Sequence, residues 1–369
     1  MAILSEEQTM LRDAAKAFVA EKSPVTAFRK LRDGGKTHDP ALWREMCEMG
    51  WSGILIPEEY GGSGLGYLTL GLVLEETGRT LTASPLLSTA IAATALLLGG
   101  NDAQKSQWLA KFASGEAIGT LAVDESAHHA PEKIALSAAR DGSGFKLSGK
   151  KVFVADGGIA DVFVVPARTA KGVTLFLVPA NASGLSRQEL HSVDSRNFAN
   201  LEFKNVGVGA DAILGTPDQG APLLDSILDR ARASLAAEML GAASQSFDVT
   251  LEYLKTRTQF GQVIGTFQAL QHRAARMFTE MELARSCVEA ALNAIDKNAN
   301  DIPQLCALAK ARAGDLWHLV SNEMVQMHGG IGMTDAHDAG LYLKRARVAE
   351  ALYGNSAFQR DRYARLMGY

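Results

Sequence analysis

Two short runs in the C-terminal third carry side chains that recognise phosphates, riboses and flat rings. Thr256-Arg257-Thr258-Gln259-Phe260-Gly261 is followed by Gly265-Thr-Phe267-Gln268-Ala-Leu-Gln271-His272, which sets a guanidinium, aromatic rings and amides around one helix junction. A guanidinium can fork onto a diphosphate, and an amide can read ribose or adenine edges. The same letters also suit a solvated helix start with packing aromatics, and alone this run leaves both open. The second run is Gln326-Met-His-Gly329-Gly330-Ile-Gly332-Met-Thr334. Consecutive glycines at a helix end let a backbone approach a ligand and expose amide donors, although a plain helix-ending turn reads the same way.

Such groups need rigid supports, and the pattern of apolar residues says what these are. Ser5 with Gln8 reads as a helix capping box, after which Leu11, Ala14, Ala15 and Phe18 recur at helical spacing. Helical patterns continue over 40–49, 67–80, 84–98 and 102–114, with the glycine-rich 61–64 as an exposed loop. After residue 116 the period changes to short β-branched and aromatic runs divided by Gly, Asp or Asn: Phe145-Lys-Leu-Ser-Gly, Val152-Phe-Val, Asp161-Val-Phe-Val-Val, Val173-Thr-Leu-Phe-Leu-Val and Leu201-Glu-Phe-Lys. Helical spacing then returns in four stretches, 222–255, 264–296, 302–328 and 337–366. The expectation is an α+β protein with a helical domain over 1–115, a middle β-barrel or sandwich domain over 116–217 and a four-helix bundle over 218–369.

The bulk numbers exclude several functions. With 47% apolar and 21% charged residues, 369 residues can bury a large core. The formal charge of −4, with both signs mixed along the chain, provides no basic stripe for nucleic acid. Cys47, Cys287 and Cys306 form no CxxC pair and fall in apolar helical patterns, which predicts buried thiols of a reducing compartment rather than disulfides or a metal site. His128-His129 lacks a third ligand at metal spacing and reads as a polar turn. Neither a leader nor a membrane span is legible, so the expected setting is cytoplasmic, with no membrane partner.

Taken together, and after a β-domain, the two C-terminal runs resemble the acyl-CoA dehydrogenase family, whose pattern is close to RxxFGxxIxxFQxxQ followed by QxxGGxG. Pro57-Glu-Glu-Tyr-Gly-Gly and Leu147-Ser-Gly-Lys-Lys extend the resemblance over nearly the whole chain. It implies a tetramer with FAD held between subunits, where Arg257, Gln259, Phe260, Phe267, Gln268, Gln326, Gly329 and Gly330 reach the ADP half of a neighbour's FAD. It further implies an acyl-CoA thioester as substrate, an electron-transferring flavoprotein as oxidant, and CoA contacts from Asp229 and Arg232. In the family a carboxylate removes the α-proton while a hydride leaves the β-carbon for the flavin.

The chain departs from that pattern where the proton must go. The family's usual base stretch, YEGT-like, aligns with Leu352-Tyr353-Gly354-Asn355, so Tyr353 takes the glutamate's place. The alternative LDxER stretch, found in members resembling isovaleryl-CoA dehydrogenase, reads Leu228-Asp229-Arg230-Ala231-Arg232, and Ala231 cannot take a proton. A phenol titrates near ~10. Glu350 and Glu238 are the remaining candidates by helical spacing, Glu350 entering as a displaced base and both reading more simply as salt-bridge partners. On the flavin-ring side a TEPxAGSD-like stretch has become Asp124-Glu125-Ser126-Ala127-His128-His129, and Trp-Ile-Thr has become Phe153-Val154-Ala155. Groups that a subunit lends to its neighbour's FAD are kept, and groups that complete its own site are eroded. Within the family this resembles the small subunit of pimeloyl-CoA dehydrogenase and related subunits that pair with a catalytic paralogue as α2β2. A homotetramer with a displaced base and a flavin-free CoA-ester scaffold are the competing readings. Lys344, Arg345 and Arg347 form a basic cluster that suits either CoA phosphates or a solvated helix face, the commoner meaning of such a run.

Overall fold

The computed structural model describes residues 4–369. In chain order the helices are α1 (Glu6–Lys22), α2 (Val25–Asp33), α3 (Pro40–Glu48), α4 (Gly66–Arg79), α5 (Leu86–Gly99), α6 (Asp102–Ser114), α7 (Gly220–Thr256), α8 (Gln268–Asp296), α9 (Ile302–His328), α10 (Ala339–Ala351) and α11 (Ser356–Leu366). They are grouped in two compact units, each of which draws on the N-terminal segment.

The first unit holds the residues up to Lys30, then Tyr67–Thr82 and Arg232–Tyr369. Its opening helix starts on the expected capping box: Ser5 and Gln8 exchange side-chain and backbone hydrogen bonds, each 3.1 Å long. Two glycines let helices cross at backbone distance. A Cβ at Gly78 in α4 would strike the Glu238 carbonyl of α7, and one at Gly241 would strike the Glu75 carbonyl. The Asp296 carboxylate, at the end of α8, accepts from Tyr67 N at 2.6 Å and Leu68 N at 2.9 Å and so meets free amides at the start of α4. The last helical stretch is not continuous. Tyr353 (φ 58°) and Gly354 (φ 94°) both turn left-handed, and Asn355 caps α11 by accepting from Phe358 N at 3.0 Å. The expected single helix over 337–366 is therefore α10, a turn and α11; its apolar period survives the break, whereas its backbone does not.

The second unit, Leu31–Gly66 and Ala83–Ala231, is built on a sheet of eight strands. These are β1 (Gly119–Leu121), β2 (Ser137–Asp141), β3 (Gly144–Ala155), β4 (Val162–Arg168), β5 (Val173–Pro179), β6 (Leu185–Glu189), β7 (Phe198–Val208) and β8 (Ile213–Leu214). The order is β6-β7-β3-β2-β4-β5-β8, with β1 parallel to β4. Leu147, Val165, Phe176, Val178 and Leu201 fill its core, where the rings of Phe145 and Phe176 meet edge to face at 5.2 Å. The runs at Phe145 and Val152, expected as separate strands, are one strand, β3, kept whole by register shifts against β7 at Leu147/Gly149 and Lys151/Val154. α5, apolar on every side and buried from Leu86 to Leu96, packs against β1.

Cys47 and Cys306 are buried and Cys287 half-buried, all as thiols. Among the described residues no helix is long and apolar enough to cross a membrane, and no group of three or more His, Cys, Asp or Glu could hold a metal ion.

Candidate functional site

The two C-terminal runs meet in the first unit. Beyond α7 the chain makes a two-residue hairpin from β9 (Thr258–Gln259) and β10 (Gln262–Val263), whose turn, Phe260-Gly261, has both residues left-handed at φ 54° and 77°. That is the turn geometry matching strand twist, and glycine at the second position is the signal for it. It lifts the Phe260 ring into solvent, 89% exposed, with the Phe267 ring edge-on at 6.1 Å. Arg257, Gln259 and Gln268 are exposed beside it. The second run ends α9. Gly329, at φ 65° and ψ −138°, sits where essentially only glycine is found, and a Cβ on Gly329 or Gly330 would meet nothing within 4 Å. Gln326 and both glycines are exposed.

A stack of rings centred on the buried His328 joins the runs. His328, beneath the glycines, lies 4.3 Å from the Tyr253 ring of α7 and 4.2 Å from the ring of His337, and donates from Nδ1 to the Met324 carbonyl at 2.7 Å. Tyr253 in turn accepts from Arg257 N at 2.9 Å through its carbonyl. Burial lowers the pKa of both histidines, with His337 adding to the effect on His328. An open guanidinium, exposed amides, an exposed phenylalanine backed by a half-buried one and a bare glycine backbone on one rigid support fit the diphosphate and adenine of a dinucleotide. All eight candidate cofactor residues belong to this unit, and Phe267 alone among them is half-buried.

The places of the expected base offer no free carboxylate. Tyr353 is 2% exposed and its carbonyl accepts from Arg232 Nε at 3.2 Å and Gln359 Nε2 at 2.8 Å. Ala231 is fully buried in α7. Glu350 turns its carboxylate to the flank of α9, 3.2 Å from His318 and 3.5 Å from Arg347. Glu238 is buried in a forked pair with Arg345, at 3.0 and 2.7 Å. The salt-bridge reading of both glutamates therefore describes them, and the basic helix face needs correcting: Arg345 points inward to Glu238 rather than to solvent. Of the two residues expected at CoA, Asp229 is nearly and Arg232 fully enclosed in this chain. Arg232 lies 5.7 Å over the Phe358 ring and holds the 352–355 turn. An arginine on a helix is read as exposed unless its buried carbonyl partner is known, and the sequence does not name that partner.

In the second unit, the altered stretch is tied down by its own side chains. Glu125 accepts from Ala135 N at 2.7 Å, Leu136 N at 3.0 Å and the buried Lys151 Nζ at 2.7 Å. Burial pulls Lys151 down to about 8, with Glu125 opposing the shift. His128 lies in the bend over residues 126–128, and His129, just beyond it, lies 2.7 Å from Asp124 with its side chain nearly enclosed. Phe153 sits at the second register shift with φ 52°, its N–H bound to Asn200 Oδ1 at 3.2 Å and its side chain half in solvent. Sequence reading missed Lys151, Lys310 and Gln359 as organisers; a buried lysine in a strand or helix is visible only once its acceptors are placed.

Comparison with known proteins agrees with the motifs. The N-terminal, middle and C-terminal domains of acyl-CoA dehydrogenases match residues 5–116, 125–206 and 218–368. Acyl-CoA dehydrogenase IpdE2 of Mycolicibacterium smegmatis is 35% identical over 95% of this chain and 96% of its own length. Among solved structures, the ChsE4-ChsE5 complex of Mycobacterium tuberculosis superposes with a TM-score of 0.92 at 28% identity over 100% of both chains. The Tcur3481-Tcur3483 steroid ACAD does so with a TM-score of 0.90 at 32% identity over 98% of both chains. The chain belongs to the acyl-CoA dehydrogenase family of flavoprotein oxidoreductases, whose cofactor is FAD.

Proposed function

We propose that this chain is the subunit of an α,β-dehydrogenase of acyl-CoA thioesters that lends FAD-binding groups to a paralogue and leaves α-proton removal to it. The observation that carries this is a contrast between two sets of residues. The surface from Arg257 to Gly330 is open and intact, while Tyr353, Ala231, Glu350 and Glu238 include no carboxylate free of an ion pair.

Bound FAD supplies the hydride acceptor. This chain's residues bind and orient it: Arg257 faces the diphosphate, Gln259, Gln268 and Gln326 the ribose and adenine edges, Phe260 and Phe267 a flat ring, and the 329–330 backbone makes the close approach. Supporting the paired assembly, two related structures carry the names of two chains each, ChsE4-ChsE5 and Tcur3481-Tcur3483. The second of these is named a steroid ACAD, which favours a bulky acyl group here. Reoxidation by an electron-transferring flavoprotein completes the reading.

The test is expression alone and with an acyl-CoA dehydrogenase paralogue, recording flavin absorbance, assembly mass and bleaching by a panel of acyl-CoA esters. Flavin and bleaching are expected only in the mixed assembly, and Arg257→Ala should strip FAD from it. A lone chain that is yellow and bleached by substrate would instead mark a self-sufficient enzyme with a displaced base.

A further inference from the structure

Lys310 lies in the middle of α9 with no exposed surface. Its Nζ donates to the carbonyl of Glu350 at 3.0 Å and to the carbonyl of Gly354 at 3.3 Å. The Glu350 carbonyl belongs to the last turn of α10 and the Gly354 carbonyl to the turn beyond it, on either side of Tyr353, where Tyr353 and Gly354 are both left-handed. Gln359 Nε2 from α11 reaches the Tyr353 and Gly354 carbonyls at 2.8 and 3.2 Å, and Arg232 Nε from α7 reaches that of Tyr353 at 3.2 Å. A buried break between two helices leaves carbonyls without intrahelical donors, so side chains must meet them. Three helices each send one. An ammonium has three N–H groups to place and a neutral amine two. Among the described residues Lys310 has two acceptors.

We propose that Lys310 is a positioning residue: as a neutral amine it ties the Glu350 and Gly354 carbonyls together and fixes which side chain, here Tyr353, is presented where the family's base would stand. This holds whether or not a paralogue supplies the base. The charged groups that act on it are the Glu350 carboxylate from α10 and the Arg232 guanidinium from α7, and the Gln359 amide from α11 shares its Gly354 acceptor. Burial lowers Lys310 most; Glu350 opposes the shift and Arg232 adds to it, leaving the amine at about 7. An opened turn would bind its proton up to about pH 10.4. Between about pH 7 and that value, opening takes up a proton, so it becomes harder by up to about tenfold per pH unit. Below about pH 7 both forms are protonated and the dependence disappears.

Hydrogen exchange of the 350–356 amides in the full chain, in its native assembly, tests this from about pH 6 to 9 after correction for intrinsic rates. Protection in the wild type is expected to be level below about pH 7 and to rise above it, while amides of α6 stay level. Lys310→Met, of similar bulk but without donors, should lose protection at 350–356 and its pH slope. Lys310→Gln keeps two N–H groups without a titrating one, and should retain more protection with no slope. A wild type that stays level from about pH 7 to 9, or a variant with the wild-type slope, overturns the proposal. Where Lys310→Met does not fold, Lys310→Gln against wild type decides it on slope alone.

Discussion

On the proposed function Tyr353 and Ala231 stand where a carboxylate would act, and the Glu238 and Glu350 carboxylates are committed to ion pairs. Glu238 and Arg345 are both about nine-tenths enclosed. Removing one partner of such a pair leaves a buried charge uncompensated, which costs about 3–5 kcal/mol. Glu238→Ala should lower the urea midpoint accordingly, and Glu238→Ala with Arg345→Met should recover much of the loss. Glu350 is more exposed and tied to an exposed histidine, so Glu350→Gln should cost under about 1 kcal/mol. Its turnover in the mixed assembly should match the wild type. A general base contributes about 10²–10⁴-fold, so a fall of that size in kcat on Glu350→Gln would return Glu350 to the chemistry. At this scale the sequence was legible where side chains stand in solvent: Arg257, Gln259 and Phe260 stand out because nothing in a core needs them. Arg232, Arg345 and Lys310 were illegible because charge in a helix defaults to water, and only the fold reveals that each ends on a buried carbonyl or carboxylate.

The elements that carry the open surface depend on conformations few residues adopt. Gly329 meets no neighbour that a methyl group would strike, so Gly329→Ala isolates the backbone cost, about 1–3 kcal/mol at a glycine-only φ/ψ. Thermal unfolding should register that loss, together with weaker FAD retention in the assembly. The stack beneath it adds a pH dependence of known sign. His328 and His337 have folded pKa values below their ordinary ~6.5. As pH falls through about 6.5 the unfolded chain takes up protons that the fold refuses, so stability drops toward acid. His337 accepts from Ala339 N at 3.1 Å through Nδ1. His337→Asn, whose side-chain oxygen can take over that bond, should flatten the fall between about pH 6.5 and 5 in a melting-temperature series. Helix and strand positions were largely legible from periodicity, including α6 over its full length. The errors lie where two levels conflict. β3 reads as two strands because Gly149 interrupts the apolar pattern, yet its ladder to β7 bridges the gap by changing register. The 337–366 stretch reads as one helix because period outlasts geometry, although Gly354 followed by Asn355 carries both a left-handed position and a cap.

For the whole molecule, the question is what a surface with an exposed arginine, glutamines and aromatic rings is open toward. A monomer gains nothing from an 89% exposed phenylalanine on a strained hairpin tip, and on the proposed function a neighbouring subunit's cofactor would give it a partner. On the proposed function the flavin-ring side of this chain differs: the resemblance sets Ala155 in place of a threonine hydroxyl, and within the 124–129 stretch Asp124 meets His129 while Glu125 meets Lys151. If each subunit type is complete on one side only, FAD is held where the paralogue meets the ring and this chain meets the ADP half. The mixed assembly should then contain about one FAD per pair of chains, half the loading of a homotetramer in which every chain binds its own. Native mass spectrometry paired with flavin absorbance after acid release measures that ratio directly. Phe260→Ala in this chain should lower it toward zero without dissociating the assembly, since stacking on one aromatic ring contributes about 1–3 kcal/mol. Loading near one FAD per chain would mean that this chain closes its own flavin site and that the eroded ring side is no barrier to binding.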